Sequence, residues 1–219
     1  MLNESLQTLI IRAFVLLTAM PIHECAHGLV ANWLGDDTAE YQGRLTLNPF
    51  HHLDLMGSIL ILLAGFGWAK PVPVNPLNFR RNGISMRAGM ALTAAAGPAS
   101  NLILALIFLL LAKVSLVVPA IPYAAALVFI IVTEINVMLA VFNLLPIYPM
   151  DGGRIFGFFL PDRALDFMER YQQQIQMAFM ALVLLTDVLD VPLGWIQYAV
   201  LKFFDMITSL GGILPNLVL

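Results

Sequence analysis

The sequence predicts an all-α polytopic membrane protein: a bundle of about four to six transmembrane helices with a small β-strand or re-entrant element after the first. Three observations carry this expectation. Of 219 residues, 60% are hydrophobic and 11% charged, and mean hydropathy is +0.85; soluble domains are about 45–50% apolar and about 25% charged. Apolar runs of roughly 20 residues, the length a spanning helix needs, recur along the chain. No long polar stretch separates them, so a single membrane-embedded domain is expected over residues 1–219, with no soluble domain appended. The net charge of −3 offers no basic surface for nucleic acid. Cys25 is the single cysteine and forms no internal disulfide. MLNESLQTLI lacks a basic start and a small-residue cleavage site, so no removable signal peptide is expected.

The elements follow in order. Leu6 to Leu34 is long enough to span and contains HECAH at 23–27. Gly35 to Asp54, GDDTAEYQGRLTLNPFHHLD, is polar, with Gly and Asn-Pro punctuation and short β-like pieces such as RLTL, and predicts strands or a hairpin at the membrane surface. Gly57 to Phe66 is apolar but too short to cross. WAKPVPVNP follows, where prolines 71, 73 and 76 enforce an extended chain with few backbone donors. Ala88 to Ala112 predicts a second span with the small-residue patch AAAGPASN, which lets another helix approach closely. Ala124 to Leu145 predicts a third and Tyr171 to Leu189 a fourth. Val191 to Leu210, with Lys202 and Asp205, either spans or lies at the interface. Arg44, Lys70, Arg80, Arg81 and Arg87 fall between the first and second spans, and Arg154, Arg163 and Arg170 between the third and fourth, whereas the intervening loop has only Lys113 at its edge. Basic loops stay cytoplasmic, so the N-terminus is expected outside, with the short apolar run not crossing.

Ionisable groups inside a spanning helix cost about 2.5–3.5 kcal/mol on the gentler scale and mark function by default. His23 and His27 are four apart, share one helix face and can bind one metal ion. Glu24 lies beside that face, where a general base stands to deprotonate a metal-bound water. Cys25 falls on the far side and reads as filler. A catalytic zinc commonly takes three protein ligands; His51, His52 and Asp151 are the candidates for the third. Asp151 sits in NLLPIYPMDGG, where proline and glycine break the helix at membrane level.

With these residues in view, the chain resembles the site-2 protease family of intramembrane zinc metalloproteases. HECAH at 23–27 and NLLPIYPMDGGRI at 143–155 carry the resemblance, with NPFHHLDLMG at 48–57, FGWAKPVPVNP at 66–76 and AGPASN at 96–101 between them, in order. The tryptophan-lysine-proline-valine-proline stretch resembles the short subgroup without a PDZ domain. The resemblance implies one Zn2+ per chain, bound by His23, His27 and Asp151, with Glu24 as base and Asn143 donating to the oxyanion that forms on the scissile carbonyl. It gives His52, Asp54 and Asn101 supporting roles. Glu134, mid-way along the third span, reads as a structural glutamate.

The expected activity is hydrolysis of peptide bonds within or near transmembrane segments of membrane-protein substrates, at a multi-pass site in the cell membrane near its cytoplasmic side. The expected partners are such a substrate and the lipid bilayer. A strand edge at Arg44, Leu45, Thr46 and Leu47 is expected to pair with the unwound substrate. The rival readings are a metal-binding transporter or sensor without protease activity and an inactive scaffold. Glu24 separates them, because it is a base only in the enzyme.

Overall fold

The computed structural model describes residues 6–64, 68–209, 212, 214, 215 and 217. Residues 65–67, at the end of the short apolar run, the first five residues and Leu210, at the end of the last expected span, lie outside the described residues. Every regular element among the described residues is helical: α1 (Leu6–Trp33), α2 (Thr38–Tyr41), α3 (Leu55–Ala64), α4 (Met86–Val117), α5 (Tyr123–Asn143), α6 (Asp151–Gly157), α7 (Asp162–Arg170), α8 (Gln172–Leu185) and α9 (Asp190–Thr208), with 3-10 turns at Pro49–His51 and Pro76–Asn78. Two compact units divide the chain, Met1–Ser100 and Asn101–Leu219.

In the first unit α1 packs against α2, α3 and the Pro49–His51 turn. The expected strand element is absent among the described residues, and the Asn-Pro pairs explain why. Asn48 accepts from the Phe50 amide and Asn75 from the Leu77 amide, each with proline at the next position. Asparagine at the N-cap followed by proline starts a helical turn rather than a hairpin. Asp54 accepts from the Gly57 amide at 2.8 Å and caps α3 in the same manner. Residues 44–47 therefore form no strand, and 45 and 46 bend ahead of a 3-10 turn.

Asp36 is fully buried and ties the end of α1 to the second of these turns. Its carboxylate accepts from the Thr38 amide and hydroxyl, the Asn75 amide at 2.6 Å and the Asn78 side chain at 2.9 Å. Burial alone would push this carboxyl up, but the hydrogen bonds from Thr38, Asn78 and Asn75 outweigh it and hold its pKa below the ordinary 3.8.

In the second unit α5 packs along α9 around Ala105, Leu109, Val137, Val141, Leu193, Leu201 and Phe204. Helices α4 and α5 are long and apolar enough to cross a membrane, with mean hydropathy 2.3 and 2.4. The expected fourth span is shorter than its apolar run suggested: α8 has 14 residues, about 21 Å against a hydrocarbon core of about 30 Å. The short helices α6 and α7 were not anticipated. The last helix is tied to α4 through one of its charges. Lys113 of α4, with no exposed surface, donates to the Asp205 carboxylate and to the Asp205 carbonyl, each at 2.8 Å, and the Leu217 amide donates to the same carboxylate at 2.9 Å. Of the two residues that left its placement open, Asp205 is held to Lys113 of α4, whereas Lys202 is exposed.

Two stability outcomes follow from these contacts. Lys113→Met should destabilise the protein by about 3–5 kcal/mol, because it strands the Asp205 carboxylate, and adding Asp205→Leu should recover part of the loss in thermal unfolding. For Asp36 the depressed folded pKa means stabilisation is present above about pH 4, its unfolded range, and fades as pH falls through the folded value. Asp36→Asn should thus unfold more easily than wild type at pH 7, by about 1–3 kcal/mol, with the difference narrowing below about pH 4.

Candidate metal centre

The first unit builds this site from α1, α4 and the proline stretch. His23 and His27 are one turn apart on α1, both buried, with their Nε2 atoms 3.1 Å apart and rings edge to face. The Nδ1 of His27 lies 2.7 Å from the Thr93 carbonyl of α4. A carbonyl only accepts, so Nδ1 carries the proton and Nε2 presents its lone pair. This is the arrangement metal-bound histidines use, one nitrogen on the metal and the other donating to a carbonyl. The 3.1 Å separation also suits two corners of a tetrahedron, which at a zinc–nitrogen bond of 2.0–2.1 Å are about 3.3 Å apart.

Gly97 of α4 explains how two imidazoles fit there. A Cβ on Gly97 would collide with the Nε2 of His27 and lie 2.5 Å from the Cε1 of His23. The glycine of AGPASN is therefore the floor under both rings, a role the small-residue reading of that patch pointed toward without placing. Cys25, on the opposite side of α1, is buried and unpaired by disulfide.

Glu24 turns toward the proline stretch. Its Oε2 accepts the Val72 amide at 2.9 Å. Val72 lies between Pro71 and Pro73, which have no N–H to give. The Lys70 amide donates to the His52 carbonyl at 2.9 Å and the Asn75 amide to Asp36, so the donors of Lys70, Val72 and Asn75 are spent on these partners instead of on a sheet ladder. Arg44 is 7% exposed, and its Nη2 donates to the Lys70 carbonyl at 2.7 Å and the Pro71 carbonyl at 3.2 Å. This corrects the expectation of a substrate-pairing edge at 44–47. Arg44 faces inward, Leu45 packs against Gly28, the Thr46 carbonyl lies 2.7 Å from His52 Nε2, and Leu47 is exposed. His52 is 1% exposed and Asp54 caps α3, so both shape the loop under the proline stretch. His51 is exposed, 3.1 Å from the Gly43 carbonyl.

The second unit carries the remaining residues. Asp151 is the first residue of α6. A Cβ on the next residue, Gly152, would run into the carbonyls of Leu144 and Leu145, so only glycine lets this turn double back on the end of α5. Asn143 is the last residue of α5, and its amide donates to the Leu139 carbonyl at 2.9 Å. Asn101 is 1% exposed on α4. Glu134 is half-buried, and its backbone carbonyl accepts from Gln197 of α9 at 3.1 Å.

Comparison with known proteins agrees with this chemistry. A model described as peptidase family M50 matches residues 120–186. The chain is 46% identical over 151 residues, 67% of each protein's length, to the Bacillus subtilis protein named "Putative zinc metalloprotease YwhC". It is 28% identical over 209 residues, 90% of this chain and 76% of the relative, to "Putative zinc metalloprotease Rip2" of Mycolicibacterium smegmatis. No solved structure matches the chain.

Gly97→Val should lower the zinc bound per chain at least about tenfold, since the added carbons occupy the space of the His27 ring. Elemental analysis of purified protein checks this, with Gly194→Val in α9, where an added Cβ meets nothing within 4 Å, as the comparison that should keep its zinc.

Proposed function

We propose that this chain, which belongs to peptidase family M50, the site-2 type zinc metalloproteases, cleaves peptide bonds within or beside transmembrane segments of membrane-protein substrates. The observation that carries the reading is the convergence of the His23 and His27 Nε2 atoms at 3.1 Å with the His27 tautomer set by Thr93. Two imidazoles and the Asp151 carboxylate are a donor set zinc takes, and we assign these three residues to it.

Zinc, when bound, supplies Lewis acidity that polarises a carbonyl and lets water give up a proton near neutral pH. The protein's own groups do the rest. Glu24 keeps Oε2 on the Val72 amide, which leaves Oε1 to take the proton from the attacking water and hand it to the leaving amine. Asn143 donates one amide hydrogen to Leu139 and has a second to offer the developing oxyanion. A helical substrate hides its carbonyls in i to i−4 bonds, so it unwinds locally before attack. The reading puts the N-terminus outside and the site near the cytoplasmic face, supported by the basic residues on both sides of the α4–α5 pair. The bilayer is the medium in which enzyme and substrate meet.

Glu24→Gln should bind zinc as wild type does and lose cleavage of a transmembrane reporter by about 100-fold or more. Asp151→Ala should lose most of its zinc. Chelation of wild type should abolish cleavage, and added zinc restore it. Cleavage by Glu24→Gln at the wild-type rate would instead remove Glu24 as the base, and zinc-loaded wild type that cleaves no such reporter would favour a metal-binding transporter or sensor.

A further inference from the structure

Arg44 is a costly residue to bury, and its neighbours suggest what it does. Its Nη2 holds the Pro71 carbonyl at 3.2 Å and the Lys70 carbonyl at 2.7 Å. The Pro71 carbonyl and the Val72 amide belong to one planar peptide group, whose C=O and N–H point in opposite directions. Arg44 therefore grips one end of the plane whose other end donates to Glu24 at 2.9 Å. Pro71 and Pro73 fix φ on either side, and proline after Lys70 and after Val72 keeps both residues extended. The Lys70 amide, bonded to the His52 carbonyl at 2.9 Å, stops the stretch from sliding. Gly28, one turn beyond Glu24, makes the approach feasible: a Cβ there would lie 3.3 Å from Val72 Cγ1 and 2.6 Å from Leu45 Cδ2.

We propose that Arg44 is a positioning residue for Glu24, acting through the Pro71–Val72 peptide, so that the carboxylate is held with one oxygen anchored and the other aimed at the water. The proposal rests on Glu24 being the base. A guanidinium is suited to this, because its planar set of donors holds a charge-assisted contact to two carbonyls at once, and the bond to Pro71 polarises the Val72 N–H toward Glu24. A lysine offers a compact point charge and does not hold the peptide plane in the same way.

Two measurements on the full chain in detergent test it. Hydrogen exchange resolves the Val72 amide well, because its flanking prolines contribute no exchanging amide. Arg44→Ala should speed exchange at Val72 by about tenfold or more, as should Glu24→Gln to a lesser degree. In cleavage of a quenched-fluorescent transmembrane peptide that wild type cuts, Arg44→Ala should lower kcat by about 100-fold with KM and zinc content unchanged. Arg44→Lys should recover only part of this. Val72→Pro, which deletes the donor outright, should resemble Arg44→Ala, and the double variant should be no worse than the worse single. Unchanged exchange at Val72 in Arg44→Ala overturns the proposal, whatever the activity. So does a raised KM with kcat intact, which would make Arg44 a substrate contact, or losses that multiply in the double variant. Should Arg44→Ala fail to fold, Arg44→Lys carries the exchange comparison, and Arg44→Lys and Val72→Pro together carry the cleavage comparison. If wild type and Glu24→Gln prove equally inactive, the protease reading fails, and the exchange result still decides the coupling.

Discussion

A carboxylate carried inside an apolar helix is unstable unless something donates to it, and the donor Glu24 finds is a main-chain amide 48 residues away, at Val72. Much of the first unit can be understood as the means of keeping that amide in place. An extended segment normally offers its amides to a neighbouring strand and would slip or pair elsewhere. Here proline removes the amides at 71, 73 and 76, and His52, Glu24 and Asp36 accept those of Lys70, Val72 and Asn75. Each acceptor belongs to a different part of the unit: α1, the turn beyond α1, and the loop before α3. The segment is fixed by side chains and single carbonyls, which give it one register where a sheet edge would allow several.

The histidine pair, on the same helix as Glu24, answers to a similar constraint set by α4. An imidazole with both nitrogens unassigned can adopt either tautomer, and only one of them presents Nε2 as a lone pair. Thr93 supplies a carbonyl at 2.7 Å that selects it. Four residues later Gly97 has no side chain to obstruct the rings. One face of α4 thus both chooses the protonation pattern of His27 and leaves room for both rings. Because packed interiors leave few voids, even one methyl group at Gly97 would be felt at both rings.

These local reasons show which parts of the chain could be read from its letters. HECAH was readable because its meaning lies in a four-residue spacing on one helix, and helix periodicity follows from backbone geometry alone. The long apolar runs were readable on composition, and α4 and α5 match them within a few residues at most ends. Gly35 to Asp54 was misread because Asn-Pro punctuates both hairpins and helical turns. What decides between them is whether the asparagine side chain caps the amide two residues on, as Asn48 and Asn75 do. Arg44 was placed on a strand for the same reason, and its burial depends on carbonyls at 70 and 71 that no short-range pattern connects to it. Helices α6 and α7 hid in a stretch broken by glycine and proline, where Gly152 serves tight packing rather than a turn without structure.

The few charges of this chain divide along the same line. On α7 Arg163, Asp166, Glu169 and Arg170 are exposed and turn the polar side of an amphipathic helix outward. Lys113, Arg44 and Asp36 are buried, and each meets at least one partner across a large separation: Lys113 at Asp205, Arg44 at Lys70 and Pro71, and Asp36, besides nearby Thr38, at Asn75 and Asn78. A buried charge is tolerated only when its partners are fixed before it arrives or fold with it. Where composition leaves so little polarity, each buried charge becomes a statement about tertiary structure. Lys113 shows this best. Its place at the edge of an apolar run suggested a residue that reaches for water, yet a carboxylate and a carbonyl of α9 accept from it instead. That exchange makes α9 part of the second unit's packed core, independent of whether its own hydropathy would qualify it to cross a membrane.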